Sequence, residues 1–277
     1  MKDKFIAFVD IIGFSAMVKA EEGAGRDLSR PLKLAKLLGS SEQKFFPSVC
    51  PNSRRVSPDI DLKLTQISDC VVVSVEASPA GVINLIHYCH FTALKLLAEG
   101  ALCRGYVTRG NIHHEDQQFI GTGYQHAVAN EKWVAFMRAD TDEKGTPFIQ
   151  VDDTVLRYVA TEGDTCVKKL FDRMVRSDGT YAAVYPFGVL SKTIGAIVGL
   201  DFNPWFWKEQ LQRSVGYRRQ DLAIFEEAER SAPDESAKRK IRHYKRGLEE
   251  AIDELRVREG ALDHMIATGI IPFGTVW

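Results

Sequence analysis

The sequence predicts an α+β fold, with helices packed on one face of a mostly antiparallel sheet. Three observations carry that class. The segments run strand, helix, hairpin, helix, hairpin, helix, strand; the strand-like runs are short and bounded by polar turns; and no internal repeat recurs along the chain. With 277 residues, 45% of them hydrophobic, the chain can enclose a full core as one large domain or as one domain with an appendage.

The first strand is predicted at Phe5 to Asp10, within KFIAFVDIIGFSAMV. Asp10 interrupts this apolar run and Gly13 follows three residues later. A buried carboxylate is costly unless it is paired or bound to a cation, so Asp10 calls for a hydrogen-bonding partner or a metal. Leu28 to Phe46 reads as helix, with Leu32, Leu34, Leu37 and Leu38 toward a core. Leu62 to Ile67 and Val71 to Val75 read as a hairpin with Ser68 and Asp69 at its tip, which makes Asp69 a second carboxylate of interest.

In SPAGVINLIHYCHFTALKLLAEG, Ser78 is placed to cap a helix and Pro79 stands at its first position. Val82, Ile86, Cys89, Ala93 and Leu97 recur at helical spacing until Gly100. A strand is expected from Ala101 to Ile112, then a polar turn HHEDQQ, the strand residues Phe119 and Ile120, a helix from Gly123 to Arg138 and the strand TPFIQVDD. These elements form a first domain ending near residue 159. Residues 160–277 read as a mainly helical extension, in which Ile241, Tyr244, Leu248, Ala251 and Leu255 mark an amphipathic helix that completes a core or a dimer.

The formal charge is −1, so no excess of base is present to hold nucleic acid or an anionic membrane. The five cysteines form no Cys-x-x-Cys pair, the N-terminus carries charge too early for a signal peptide, and no apolar run approaches the ~20 residues of a membrane helix. The expectation is a soluble cytoplasmic protein with neither nucleic-acid nor membrane partners.

Two aspartates, one after a strand and one on a hairpin tip, converge on a divalent cation when strand and hairpin lie side by side. Oxygen ligands of this kind suit Mg²⁺ or Mn²⁺, which also bind substrate phosphates. The turn after Asp10 adds backbone N–H groups and a glycine where a phosphate can approach. The plainer alternative is that Asp10 caps the next helix and Asp69 only makes a turn.

Taken together, FVDIIGFSAMV, QISDCVVVSV, CRGYVTRG and FIGTGYQHAVANEK, in that order, resemble the class III nucleotidyl cyclases over roughly residues 4 to 152. The resemblance implies a ferredoxin-like core in which Asp10, Asp69 and the Ile11 carbonyl hold two Mg²⁺ or Mn²⁺ ions and Ile12, Gly13 and Phe14 contact a triphosphate. It also implies that the 3′-hydroxyl of a nucleoside triphosphate attacks its own α-phosphate and expels pyrophosphate. One metal lowers the pKa of that hydroxyl and the other neutralises the triphosphate, with the ions about 4 Å apart.

The departures are specific. Where purine cyclases read the base edge with a Lys and an acidic or small polar residue, this chain has Thr65 and Phe119; the family's transition-state Asn falls on Gln125 and its Arg on Ala129, while Ala127 and Glu131 match. Another cation must then serve the phosphates, with Arg104, Arg109, Lys132 or the pair Arg54 and Arg55 as candidates. These departures look like the bacterial pyrimidine cyclases of Pycsar anti-phage defence. That likeness implies cyclic UMP from UTP, or cyclic CMP from CTP, and a separate effector that senses the product.

It further implies a head-to-tail homodimer in which one protomer supplies Asp10 and Asp69 and the other Thr65, Phe119 and Gln125. A purine cyclase, and an inactive nucleotide-binding sensor, are the rivals. His113 to Asp116 are expected in a solvated turn, His87 and His90 in packing or surface roles, and Trp205, Phe206 and Trp207 as core anchors.

Overall fold

The computed structural model describes residues 1–40, 60–140, 142, 145–163, 165–187 and 204–269. The chain divides into two compact units, Met1–Pro186 and Phe187–Trp277, so the division falls well beyond residue 159. The reason is that helices and a hairpin after residue 159 complete the first unit's sheet and core.

The first unit is α+β with a mixed, mostly antiparallel sheet of eight strands. β1 (Lys2–Ile11) leads to α1 (Phe14–Gly23) and α2 (Ser29–Leu38); the hairpin β2 (Lys63–Ile67) and β3 (Cys70–Glu76) leads through α3 (Pro79–Ala98) to β4 (Cys103–Glu115). These four strands lie in the order β2-β3-β1-β4, all antiparallel, an order compatible with a ferredoxin-like core. β5 (Gln118–Ile120) folds back on β4, and α4 (Thr122–Glu131) follows. β6 (Ile149–Val151) pairs parallel to β4, and after α5 (Asp153–Glu162) and α6 (Thr165–Met174) the hairpin β7 (Val175–Ser177) and β8 (Ala182–Val184) closes the far edge.

α3 forms as its sequence signals direct. The Ser78 hydroxyl accepts from the Gly81 amide at 3.0 Å, Pro79 opens the helix, and Gly100 ends it at φ +68°. Val82, Ile86, Cys89, Ala93 and Leu97 are buried, and so are His87 and His90. In α2, Leu34 and Leu38 are buried and Leu37 partly so, but Leu32 is 66% exposed, because Pro31, Leu34 and Leu38 form the inward stripe. The end of that predicted helix, and Arg54 and Arg55, lie outside the described residues.

α4 stops at Glu131 rather than Arg138. Beyond it the backbone turns to tertiary partners: Gly145 donates to the Lys132 carbonyl, Thr146 to that of Val134, and the Ala135 and Phe136 amides donate to Gln150 Oε1. β6 is shorter than its predicted run because Asp152 caps α5, accepting from the Thr154 amide at 2.8 Å. β4 runs to Glu115, three residues past its predicted end, so the turn begins at Asp116 and His114 is buried on the strand.

The second unit contains α7 (Pro204–Arg230) and α8 (Glu235–Thr268). Leu211 and Val215 of α7 pack with Ile252, Leu255, Leu262 and Met265 of α8. Lys208 meets Asp263 at 2.5 Å and Gln212 meets Glu259 at 2.6 Å, so the helices run antiparallel. The amphipathic stripe from Ile241 to Leu255 is buried. Trp207 packs on this core, whereas Trp205 and Phe206 are exposed, contrary to a core role for all three aromatics. Among the described residues no helix is long and apolar enough to cross a membrane.

Candidate functional site

The strands assemble a cluster of charged groups at one end of the sheet. Asp10 is opposite Cys70 on β3 and opposite Arg104 on β4, and side chains at directly paired positions share a face. The Ile11 amide donates to the Asp69 carbonyl at 3.0 Å, which fastens the β2–β3 tip to the end of β1. Ser68 at that tip takes φ +55°, the left-handed conformation that lets a short hairpin turn. The two aspartates singled out by the sequence therefore meet.

Electrostatics mark the junction. Burial pushes the Asp10 carboxyl up to about 7, and the charges of Glu131 and then Asp69 push the same way, against the opposing pull of Arg104 and the Ile11 amide. The Cys70 thiol is raised to about 11 by burial and by Asp10, Asp69 and Glu131. Glu131 is thus part of the cluster, although the sequence indicated only that it matched a pattern. It could have been found from spacing: Gly123, Ala127 and Glu131 form the inward stripe of α4, which leads onto the face that carries Asp10.

After β1 the chain turns sharply. The Ile12 amide donates to the Leu102 carbonyl at 2.9 Å, so of the three residues expected at a phosphate it has its N–H already bonded. Gly13 precedes α1 at φ +78°, φ 78 with ψ 10 being left-handed backbone, and its carbonyl accepts from the Met17 amide. Phe14 starts the helix, and no residue of α1 is buried, so this helix N-terminus lies at the surface beside Asp10.

The expected cations are distributed differently. Arg104 lies against the cluster, its Nε 2.5 Å from Glu131 Oε1. Arg109 falls on the other face of the sheet, bonded to Asp3 at 2.7 Å and stacked 5.2 Å from the Tyr158 ring centroid. Lys132 is exposed over Trp133. Gln125 and Ala129 both lie on the exposed side of α4.

Thr65 and Phe119 are not at this junction but are close to each other through His114. The Thr65 hydroxyl donates to the Asp116 carbonyl at 2.9 Å, so its oxygen accepts from His114 Nε2 at 3.0 Å, and His114 Nδ1 accepts from the Ser74 hydroxyl at 2.8 Å. Burial, with Lys4 and Lys63 nearby, pushes His114 down to about 4, so the ring is neutral. Thr65 is only 2% exposed. Phe119 stands edge-on to His114 at 5.6 Å and to Tyr124 at 4.7 Å, and Tyr124 is edge-on to Phe8 at 6.5 Å.

Among the described residues, no group of three or more His, Cys, Asp or Glu side chains forms a metal-holding set. The donor chemistry nonetheless fits a divalent cation completed by substrate: two carboxylates and a backbone carbonyl are hard oxygen donors, and the Asp10 carboxyl is raised first by burial and then by the charges of Glu131 and Asp69, which a bound cation would offset. No protein-family model matches the chain, and no curated protein matches it significantly.

Proposed function

We propose that this chain is a nucleotidyl cyclase of the class III type, converting a pyrimidine nucleoside triphosphate to its 3′,5′-cyclic monophosphate and pyrophosphate. The observation that carries this reading is the meeting of Asp10 and Asp69 at the end of β1, directly before the left-handed turn at Gly13 that opens an exposed helix. Carboxylates in excess of their cations suit a site that a metal–triphosphate complex completes.

Two Mg²⁺ or Mn²⁺ ions would activate the 3′-hydroxyl and neutralise the triphosphate when bound. In this reading Asp10, Asp69 and the Ile11 carbonyl hold them, and the backbone from Gly13 to Phe14 receives phosphate oxygens at the helix start. Gln125 lies on the exposed side of α4, a position that suits a residue acting on a second protomer's substrate in a head-to-tail homodimer. Phe119, partly exposed, carries no charge with which to read a purine edge, which favours UTP or CTP; Thr65, expected beside it, is 2% exposed and spends its hydroxyl on His114 and Asp116. UTP is the favoured substrate, and the cyclic product signals to a separate effector in cytoplasmic anti-phage defence.

A second reading, a nucleotide-binding sensor without turnover, draws on Ala129, which supplies no charge on the exposed side of α4. Incubation with Mn²⁺ and equal ATP, GTP, CTP and UTP, followed by mass-resolved product analysis, separates the readings. A cyclic pyrimidine nucleotide, lost in Asp69→Asn, is the expected result. A purine product would keep the reaction and discard the substrate, and binding without product would establish the sensor.

A further inference from the structure

Asp10 and Arg104 are directly paired across β1 and β4 on one face, the arrangement in which opposite charges couple most readily. They form no ion pair. The Arg104 guanidinium turns to the last residue of α4 instead, with Nε 2.5 Å from Glu131 Oε1 and Nη1 3.5 Å from the Gly145 carbonyl. The two side chains are only 12% and 10% exposed, so this pair is well enclosed and its geometry is held on both sides.

The placement of Glu131 follows from the small residues before it on the same stripe. A Cβ added at Gly123 would lie 2.5 Å from Ile6 Cδ1, and one at Gly110 would lie 2.9 Å from the Gly123 Cα. α4 therefore rests backbone against backbone on β4, and eight residues on, at Glu131, the helix ends above Arg104. Any larger residue at 110 or 123 would lift the helix and draw Glu131 away.

We propose that Glu131 is a positioning residue that holds the Arg104 guanidinium off Asp10, keeping the Asp10 carboxylate open to a divalent cation. The proposal rests on the reading of Asp10 and Asp69 as metal ligands. A guanidinium on Asp10 would occupy the same oxygen lone pairs and cancel the same charge that a dication needs. Glu131 supplies the competing carboxylate, so Arg104 remains at the cluster without closing it.

The test titrates the full chain with Mn²⁺ alone, read by the loss of the free-ion electron paramagnetic resonance signal, in wild type, Glu131→Gln and Glu131→Gln/Arg104→Met. Glu131→Gln is expected to bind about tenfold more weakly, as a cation in contact with a carboxylate demands. The double variant is expected to recover most of that loss, because neither half of the pair is then left unmatched. A merely structural Glu131 would leave the double variant as weak as the single one, and that outcome overturns the proposal.

A crystal structure of Glu131→Gln separates displacement from a simple change of field. The guanidinium is expected about 3 Å from the Asp10 carboxylate; a guanidinium still resting on residue 131 overturns the proposal. Unchanged Mn²⁺ affinity in Glu131→Gln overturns it too while leaving the metal reading in place, whereas wild type that takes up no Mn²⁺ overturns both.

Discussion

His114 Nε2 lies 3.0 Å from Thr65 Oγ1, and the hydroxyl's donation to the Asp116 carbonyl makes the imidazole the donor in that contact. One ring thereby ties three strands, since its other nitrogen accepts from Ser74 on β3 while Thr65 lies on β2 and His114 on β4. The residue expected to read a base is engaged in holding the sheet edge.

That engagement has a pH dependence. His114 is depressed from 6.5 to about 4, so the folded state binds fewer protons than the unfolded state between those values. Its contribution is complete above pH 6.5 and fades as pH falls toward 4. Urea unfolding at pH 7 and at pH 5 should show wild type losing more stability than His114→Asn; an equal loss in both proteins would remove His114 as the cause.

Asp10 behaves oppositely. Its folded value of about 7 lies above the ordinary 3.8, so the fold favours the neutral acid, and stability present below pH 4 is lost as pH rises to about 7. Asp10→Asn should therefore stabilise the metal-free protein at pH 8 by on the order of 1 kcal/mol, after allowance for partial exposure, and do little at pH 4. Thermal unfolding in chelator checks this, and a destabilised variant at pH 8 would show that the carboxylate is already paired.

Gly13 offers a purely backbone test. A Cβ there meets nothing within 4 Å, so only its φ of +78° opposes substitution. Gly13→Ala should cost about 1–2 kcal/mol, the strain of a left-handed L-residue. Gly13→Asn should cost less; identical penalties for the two would point to lost space rather than to backbone strain.

Local signals were legible where their physics is local. Ser78, Pro79 and Gly100 bracket α3 because capping and chain reversal involve residues within one turn. The meeting of Asp10 with Asp69 was also legible, because strand and hairpin tip recur as a pattern. What escaped depends on distant partners: the capture of Arg104 by Glu131, the tertiary bonds that end α4 early, and the three-strand register that buries His114. For His114 the polar run HHEDQQ resembled a turn, yet the alternation at the end of β4 turns Ile112 and His114 inward and leaves His113 and Glu115 more exposed.

β1 runs through the interior of the sheet, flanked by β3 on one side and β4 on the other, with Lys2 paired to Ile112. During synthesis β1 thus has its second neighbour made some 110 residues after it, roughly 5–20 seconds later at about 5–20 residues per second. During that interval FIAFV keeps an unsatisfied edge, ready to add to any other strand it meets. The exposure of that edge is therefore set by the order of synthesis and not by the stability of the finished sheet.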